Sequence, residues 1–345
     1  MAFMGEDFET GSGYITRHRI RAAMARWAGV AATALAFAAP AAQAQAPDYP
    51  SRPVRIVVPF AAGGPADIYA RYIAMRLQQA LEQPFIVEDK PGAGGVIGTD
   101  AVAKSAPDGY TLLLMSNSQT VNESLFATKP YQLLRDLAPI APINFSDLVL
   151  VTRSSLPVAN LAQLLQLARR KPGSLSYASS GPGTPYHMAG ELFKAMAGVS
   201  IVHIPYRGSA GARTDLLGGQ VDMMFDAVPT MSEHIRAGKV KAMGTTGSQR
   251  SGVMPDVPTI AEAGVPKYEA TIWLGLMAPK ATPAAIVNRL NAEVSRIVAD
   301  PETARAWKAQ GATPMQMSVA DFTRYVQGDI VKWAEIVRIS GAKPE

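Results

Sequence analysis

Residues Val54–Leu81 read VRIVVPFAAGGPADIYARYIAMRLQQAL, and their reading decides the fold. Val54 to Val58 is a short apolar run of the kind that forms a buried strand. Small residues follow, Ala61-Ala62-Gly63-Gly64, and then Pro65. Proline suits the first turn of a helix, where its missing N–H has no bond to make. Ala66, Tyr69, Ala70, Ile73, Leu77 and Leu81 recur at helical spacing. A strand that stops at glycines and feeds a helix leaves backbone N–H groups free at the positive end of the helix dipole, which favours an anion. Gly64 precedes the helix start and is expected to use glycine's conformational freedom. Asp67 falls in the first turn. It is expected to fix loop N–H groups rather than grip ligand charge, because a carboxylate repels an anion.

The chain does this twice. Leu175–Met196, LSYASSGPGTPYHMAGELFKAM, repeats the strand, the Ser/Gly loop and the proline-led helix, with Thr184 as N-cap before Pro185. Two anion-facing loops imply a ligand held between two lobes. From Val54 onward strand and helix signals alternate, the pattern of an α/β fold with mostly parallel sheets. Strands are expected at 85–88, 110–115, 201–204, 221–225, 239–245 and 271–277, with one or two more across 140–151. Helices are expected at 96–105, 161–170, 213–217, 231–236, 283–299, 301–310 and 319–339. Ser116-Asn117-Ser118 reads as a polar loop beside the first site. Lobe 1 is expected to be discontinuous, residues 48–146 plus 274–345, with lobe 2 as residues 147–273 between them.

Composition narrows the function. A chain of 345 residues is long for a single core and fits two lobes. The net charge of +5 is spread along the chain, with no Lys/Arg block interleaved with aromatics, so nucleic acid is not an expected partner. There are no cysteines, which excludes disulfides, thiolate zinc sites and a cysteine nucleophile. His18, His187, His203 and His234 are not spaced as paired metal ligands. Arg17, Arg19, Arg21 and Arg26 precede an alanine-rich apolar run and the small-x-small site Ala42-Gln43-Ala44. Residues 1–44 therefore read as a signal peptide cleaved after Ala44, and the chain is expected in the periplasm. No later segment reaches transmembrane length.

Gly92-Ala93-Gly94-Gly95-Val96-Ile97-Gly98 follows a strand and opens a helix. Its GxGxxxG spacing, without an acidic residue for a ribose, favours a tight strand–helix turn over a dinucleotide site. Tyr206-Arg207-Gly208-Ser209 follows a strand and either places a phenol or guanidinium near the cleft or forms a surface turn. His187 is a hydrogen-bond donor to ligand or a structural histidine. Asp226, at a strand end, accepts from ligand or orients Thr184 or His187, and the orienting role is preferred. No GxSxG elbow, Walker A loop or clustered metal ligands occur, so no catalytic residue, metal or cofactor is expected.

Ordered matches now carry a family resemblance. They are Tyr49–Phe60 (YPSRPVRIVVPF), Lys90–Gly95 (KPGAGG), Ala106–Leu113 (APDGYTLL) and Gly183–Phe193 (GTPYHMAGELF). Pro205–Ala210 (PYRGSA), Asp222–Asp226 (DMMFD), Asp256–Gly264 (DVPTIAEAG) and Arg289–Val294 (RLNAEV) continue them. The chain resembles the periplasmic substrate-binding proteins of tripartite tricarboxylate transporters, the Bug receptors. The resemblance implies a two-lobed Venus-flytrap fold with ligand in the interlobe cleft. It implies a receptor, expected to be monomeric, that delivers a small carboxylate to the membrane subunits of the transporter. Phe60, Ala61, Gly63 and Gly64 would hold one carboxylate, partly through ordered waters. Ser180, Gly183, Thr184 and His187 would hold the ligand from the other lobe, with Ser116, Asn117 and Asp226 facing the cleft. Two departures matter: Pro65-Ala66 stands where the family often has Ser-Thr, and Ala227 where it often has Asn. Both make the site less polar. Two alternative readings are a secreted α/β enzyme using Asp67, His187 or Asp226 on a bound acid, and a ligand sensor for a membrane signalling protein.

Overall fold

The computed structural model describes residues 49–344; the expected signal peptide, residues 1–44, lies outside them. The first unit is strand β1 (Val54–Val58) and helix α1 (Pro65–Leu81). The chain continues through β2 (Phe85–Asp89), α2 (Val96–Ala103), β3 (Thr111–Ser116), α3 (Asn117–Leu125) and the single turn α4 (Leu133–Asp136). One long strand follows, β4 (Leu137–Arg153). Beyond it come α5 (Leu161–Arg170), β5 (Ser176–Ser179), α6 (Pro185–Ala197), β6 (Val202–Pro205) and α7 (Ser209–Leu217). Then β7 (Met223–Ala227), α8 (Val228–Arg236), β8 (Val240–Thr245) and β9 (Thr271–Pro279) complete the middle of the chain. Helices α9 (Ala284–Ala299) and α10 (Pro301–Gln310), strand β10 (Ala312–Pro314) and helix α11 (Val319–Ser340) close it.

The strands form two sheets joined through β4. In the first, β1 pairs in parallel with β2 and β3, while β9 runs antiparallel to both β3 and β4. In the second, β5 pairs in parallel with β6 and β7, while β7 and β8 run antiparallel to β4. The partners of β4 change between Asp147, opposite Thr271 of β9, and Leu148, opposite Ala227 of β7. The sheets are thus mixed, not mostly parallel. The outer strands follow helical crossovers and run parallel. The strands that join the lobes must run back against them.

Side-chain alternation explains the layers. Leu112 and Leu114 of β3 pack with α1 and α9 on one face, and Leu113 and Met115 pack with Phe322 and Val326 of α11 on the other. In the second sheet Leu148 and Leu150 enter one core and Val149 and Val151 the opposite one. A strand covered by helices on both faces reads as a continuous apolar run. Helix α11 serves both lobes. Its first half supplies Phe322 and Val326 to the first, and its second half places Trp333 and Ile336 against Leu148, Leu150 and Phe193 of the second.

Two local expectations change, and one left open is decided. Ser116–Ser118 is a helix start, not a loop. The Ser116 hydroxyl accepts from the backbone N–H of Ser118, and Gln119 reaches back to the Ser116 N–H at 2.9 Å. This is a capping box, written in the sequence as S-x-x-Q. Residues 140–151 belong to one 17-residue strand, with register shifts near Pro139 and Pro142 in place of a break. Helices α7 and α8 begin at Ser209 and Val228, earlier than expected, because their first turns carry Ser, Gly and Pro rather than apolar periodicity.

Candidate functional site

Four helices aim their N-termini at one cleft. Its walls include Gly64 and Pro65 at the start of α1, Ser116 capping α3, Pro185 opening α6 and Ser209 opening α7. Phe60, Ala61, Ser118, Ser180 and Tyr186 join them, with Ile272 and Leu274 of β9 as an apolar floor. No acidic or basic side chain lines this chamber. Its electrostatic character comes from helix ends and hydroxyls, and free N–H groups at helix N-termini favour an anion. The chamber is narrow, with a cavity volume of about 20 Å³, room for about one water. A second chamber of about 190 Å³ adjoins it and shares Phe60 and Ser180. A larger cavity of about 430 Å³ lies elsewhere, lined by Asp147, Arg250 and Lys308 and by no helix N-terminus.

Of the residues expected at the site, Phe60, Ala61, Gly64, Ser116 and Ser180 line the first chamber. The others stand behind it as supports. The Asp67 carboxylate accepts from the Gly63 N–H at 2.9 Å and lies beside Arg71, so it braces the loop. Gly63 has φ +81, whereas Gly64 has φ −89. The left-handed conformation expected at Gly64 is therefore found one residue earlier. Asn117 donates to the Thr271 carbonyl at 2.9 Å, tying α3 to the start of β9.

In the other lobe Thr184 caps α6, with its hydroxyl facing the His187 N–H at 3.4 Å. The Gly183 N–H donates to His187 Nδ1 at 3.1 Å. His187 also stacks on His203, ring centroids 4.3 Å apart. Burial first, then the neighbouring His203 and Lys194, push its pKa down to about 3. A neutral ring whose Nδ1 accepts from its own loop is a loop brace. Asp226 is fully enclosed. It receives Arg213 Nε at 2.9 Å and the Ala227 N–H at 2.8 Å. These contacts differ from the expected orienting of Thr184 or His187. Burial raises the Asp226 pKa, and Arg213 opposes that shift.

Sequence reasoning passed over Tyr186, Ile272 and Leu274, all in the chamber wall, and singled out Ser209 only within the Tyr206–Ser209 segment. Tyr186 follows the N1 proline of α6, and Ser209 opens a helix after glycine, so both carried a local signal. Ile272 and Leu274 read only as strand core. Among the described residues no cluster of His, Asp or Glu could hold a metal ion, and no helix is long and apolar enough to cross a membrane.

The lobes meet around the chambers. A Cβ on Gly94 would stand 2.0 Å from the Pro182 carbonyl oxygen, and one on Gly208 would stand 2.9 Å from the Ala61 Cβ. Both glycines permit backbone contact between lobes. A two-lobed α/β molecule with helix N-termini around an interlobe cleft defines a periplasmic solute-receptor fold.

Comparison with known proteins assigns the family. The profile of the tripartite tricarboxylate transporter family receptor matches residues 69–341. Protein BugT of Bordetella pertussis is 42% identical over 323 residues, covering 93% of this chain and 99% of BugT. The structure of Rpa4515 of R. palustris with adipate superposes with a TM-score of 0.83 at 35% identity, covering 86% of this chain and all of that one. MatC (Rpa3494) from Rhodopseudomonas palustris, with bound malate, gives 0.80 at 34%, covering 84% and 100%. The chain belongs to the tripartite tricarboxylate transporter receptor family.

Proposed function

We propose that this protein is a periplasmic receptor that closes on a small carboxylate and delivers it to the membrane subunits of a tripartite transporter. The observation that carries the reading is the convergence of four helix N-termini on a chamber without charged side chains. Such a wall favours a carboxylate through fixed dipoles and N–H donors and offers no activated nucleophile. Adipate with Rpa4515 and malate with MatC are ligands of the same class. Phe60, Ala61, Gly64, Ser116 and Ser180 contact the ligand in this reading. Gly63, Asp67, Asn117, Gly183, Thr184, His187 and Asp226 hold the loops that do so. Lobe boundaries near 146/147 and 273/274 place the hinge on β4 and at the start of β9. Residues 1–44 direct export.

The test is a thermal-shift screen of carboxylates against neutral sugars, repeated on Gly64→Asp. Ligand at a hundredfold excess over Kd stabilises the folded state by about 2.7 kcal/mol. Carboxylates should raise the melting temperature of the parent and leave Gly64→Asp unmoved, because the new carboxylate sits at the start of α1. Gly64→Ala is the control. Its backbone is ordinary, and its Cβ would meet the Ser209 hydroxyl at 3.1 Å and the Ala61 carbonyl oxygen at 3.9 Å. Sugars shifting the parent while carboxylates do not would reject the reading.

A further inference from the structure

The loop that opens α6 is braced at two points, and one buried side chain from β6 touches both braces. The first brace is Ser179, whose Oγ accepts from the Gly181 N–H at 3.1 Å. The second is His187, whose Nδ1 accepts from the Gly183 N–H at 3.1 Å. Thr184 Oγ1 donates to the Gly181 carbonyl at 2.7 Å and closes the loop between them. His203 places its Nε2 2.6 Å from Ser179 Oγ and stacks its ring on His187, centroids 4.3 Å apart. A second stack, on Tyr177 at 4.8 Å, fixes the His203 ring, and the Tyr177 hydroxyl is itself tied to Glu191 of α6 at 2.6 Å. Ser180 lies inside this loop. It lines the first chamber, and its buried hydroxyl has no hydrogen-bond partner among the described residues. A binding group is presented in productive geometry only when the residues behind it fix it to within about 0.5 Å.

We propose that His203 is a positioning residue for ligand capture. It lines neither chamber and acts through Ser179 and His187. Through them it sets the two glycine N–H groups, and with these Ser180 and the start of α6. Because one ring reaches both braces, its loss loosens the whole loop, whereas loss of either brace loosens one end. This rests on the receptor reading above and adds the residue, outside the chamber, that shapes the wall of the second lobe.

The experiment is residue-resolved amide hydrogen exchange on the ligand-free protein, followed by calorimetric titration with adipate and with malate. His203→Leu removes both contacts. His203→Gln keeps a polar group for Ser179 but no ring, and Ser179→Ala removes one brace without adding volume. In His203→Leu the Gly181 and Gly183 amides should exchange at least tenfold faster, relative to the core amides of β3 and β4 that report global unfolding. His203→Gln should restore protection at Gly181 and leave Gly183 fast, and Ser179→Ala should free Gly181 alone. Should His203→Leu not fold, these two variants decide by the same pattern. Binding of whichever acid the parent takes more tightly should weaken at least tenfold in His203→Leu and recover in part in His203→Gln. Glycine amides that merely follow the core amides overturn the proposal, since the histidine then only stabilises the lobe. Unchanged affinity in a variant whose glycine amides have become fast overturns it too. A parent that binds neither acid counts against the receptor reading, while the exchange pattern, which needs no ligand, still decides the positioning role.

Discussion

Asp226 and Arg213 are the residues with most at stake in the fold. The carboxylate is fully enclosed, and the Arg213 side chain is 14% exposed. Neither is tolerable alone in a buried place: breaking such a pair by removing one partner costs about 3–5 kcal/mol. Asp226→Ala should lower stability by that order in denaturant titration, with Arg213 left uncompensated. The double variant Asp226→Ala/Arg213→Leu should recover part of the loss. A single variant within 0.5 kcal/mol of the parent, the usual limit for a surface change, would show that the pair is not structurally needed. His187 works by the same logic without a charge. Its low pKa keeps the ring neutral, and its Nδ1 holds the Gly183 N–H that would otherwise be loose in the loop.

At the scale of elements, α11 is the strap that joins the lobes, and Asp329 is its fastening. Asp329 accepts from Thr120 of α3 at 2.6 Å and from the Trp273 indole of β9 at 3.1 Å. Burial, opposed by these hydrogen bonds, raises its pKa to about 6. The sign of the linkage follows. Between the unfolded value near 4 and the folded value near 6, the folded state holds the extra proton, so stability falls as pH rises through that window. Above it the buried charge is a constant cost. Asp329→Asn keeps an acceptor and removes the charge. Its melting temperature should exceed the parent's at pH 8, by an amount corresponding to roughly 1–2 kcal/mol, and the difference should vanish near pH 4. A gap that does not change with pH would show that Asp329 contributes only through its hydrogen bonds.

For the whole molecule, the proposed closure rests on backbones that touch. Gly94 has φ +60, and its Cα faces the Pro182 carbonyl of the other lobe. Alanine there costs about 1 kcal/mol from the left-handed backbone alone. It also puts a methyl group where the lobes meet. Gly94→Ala should fold, bind carboxylate at least tenfold more weakly, and keep a larger radius of gyration in X-ray scattering when ligand is added. A variant that compacts with ligand like the parent would show that this contact does not limit closure. In the proposed mechanism ligand shifts the balance between open and closed populations, and a variant that disfavours the closed state alone weakens apparent affinity by the same factor.

The amino-acid sequence by itself determined the repeated strand–loop–helix unit. An apolar run, a glycine break and a proline at the first helical position all act within a dozen residues. The strands β1 and β5, the helices α1 and α6 and the loops between them were legible for that reason. So was the loop-bracing role of Asp67, whose partner Gly63 is four residues away. Only the tertiary structure decided the rest. Periodicity tells which face of an element is buried, not what covers it. It could not seat Ile272 and Leu274 in the cleft, pair Asp226 with Arg213, or stretch α11 across both lobes. The sequence left Tyr206–Ser209 open between a cleft position and a surface turn, and only packing put Arg207 in one chamber wall with Gly92–Gly95, more than a hundred residues earlier in the chain. Those neighbours are chosen by packing the two sheets through β4, a long-range event with no local signature.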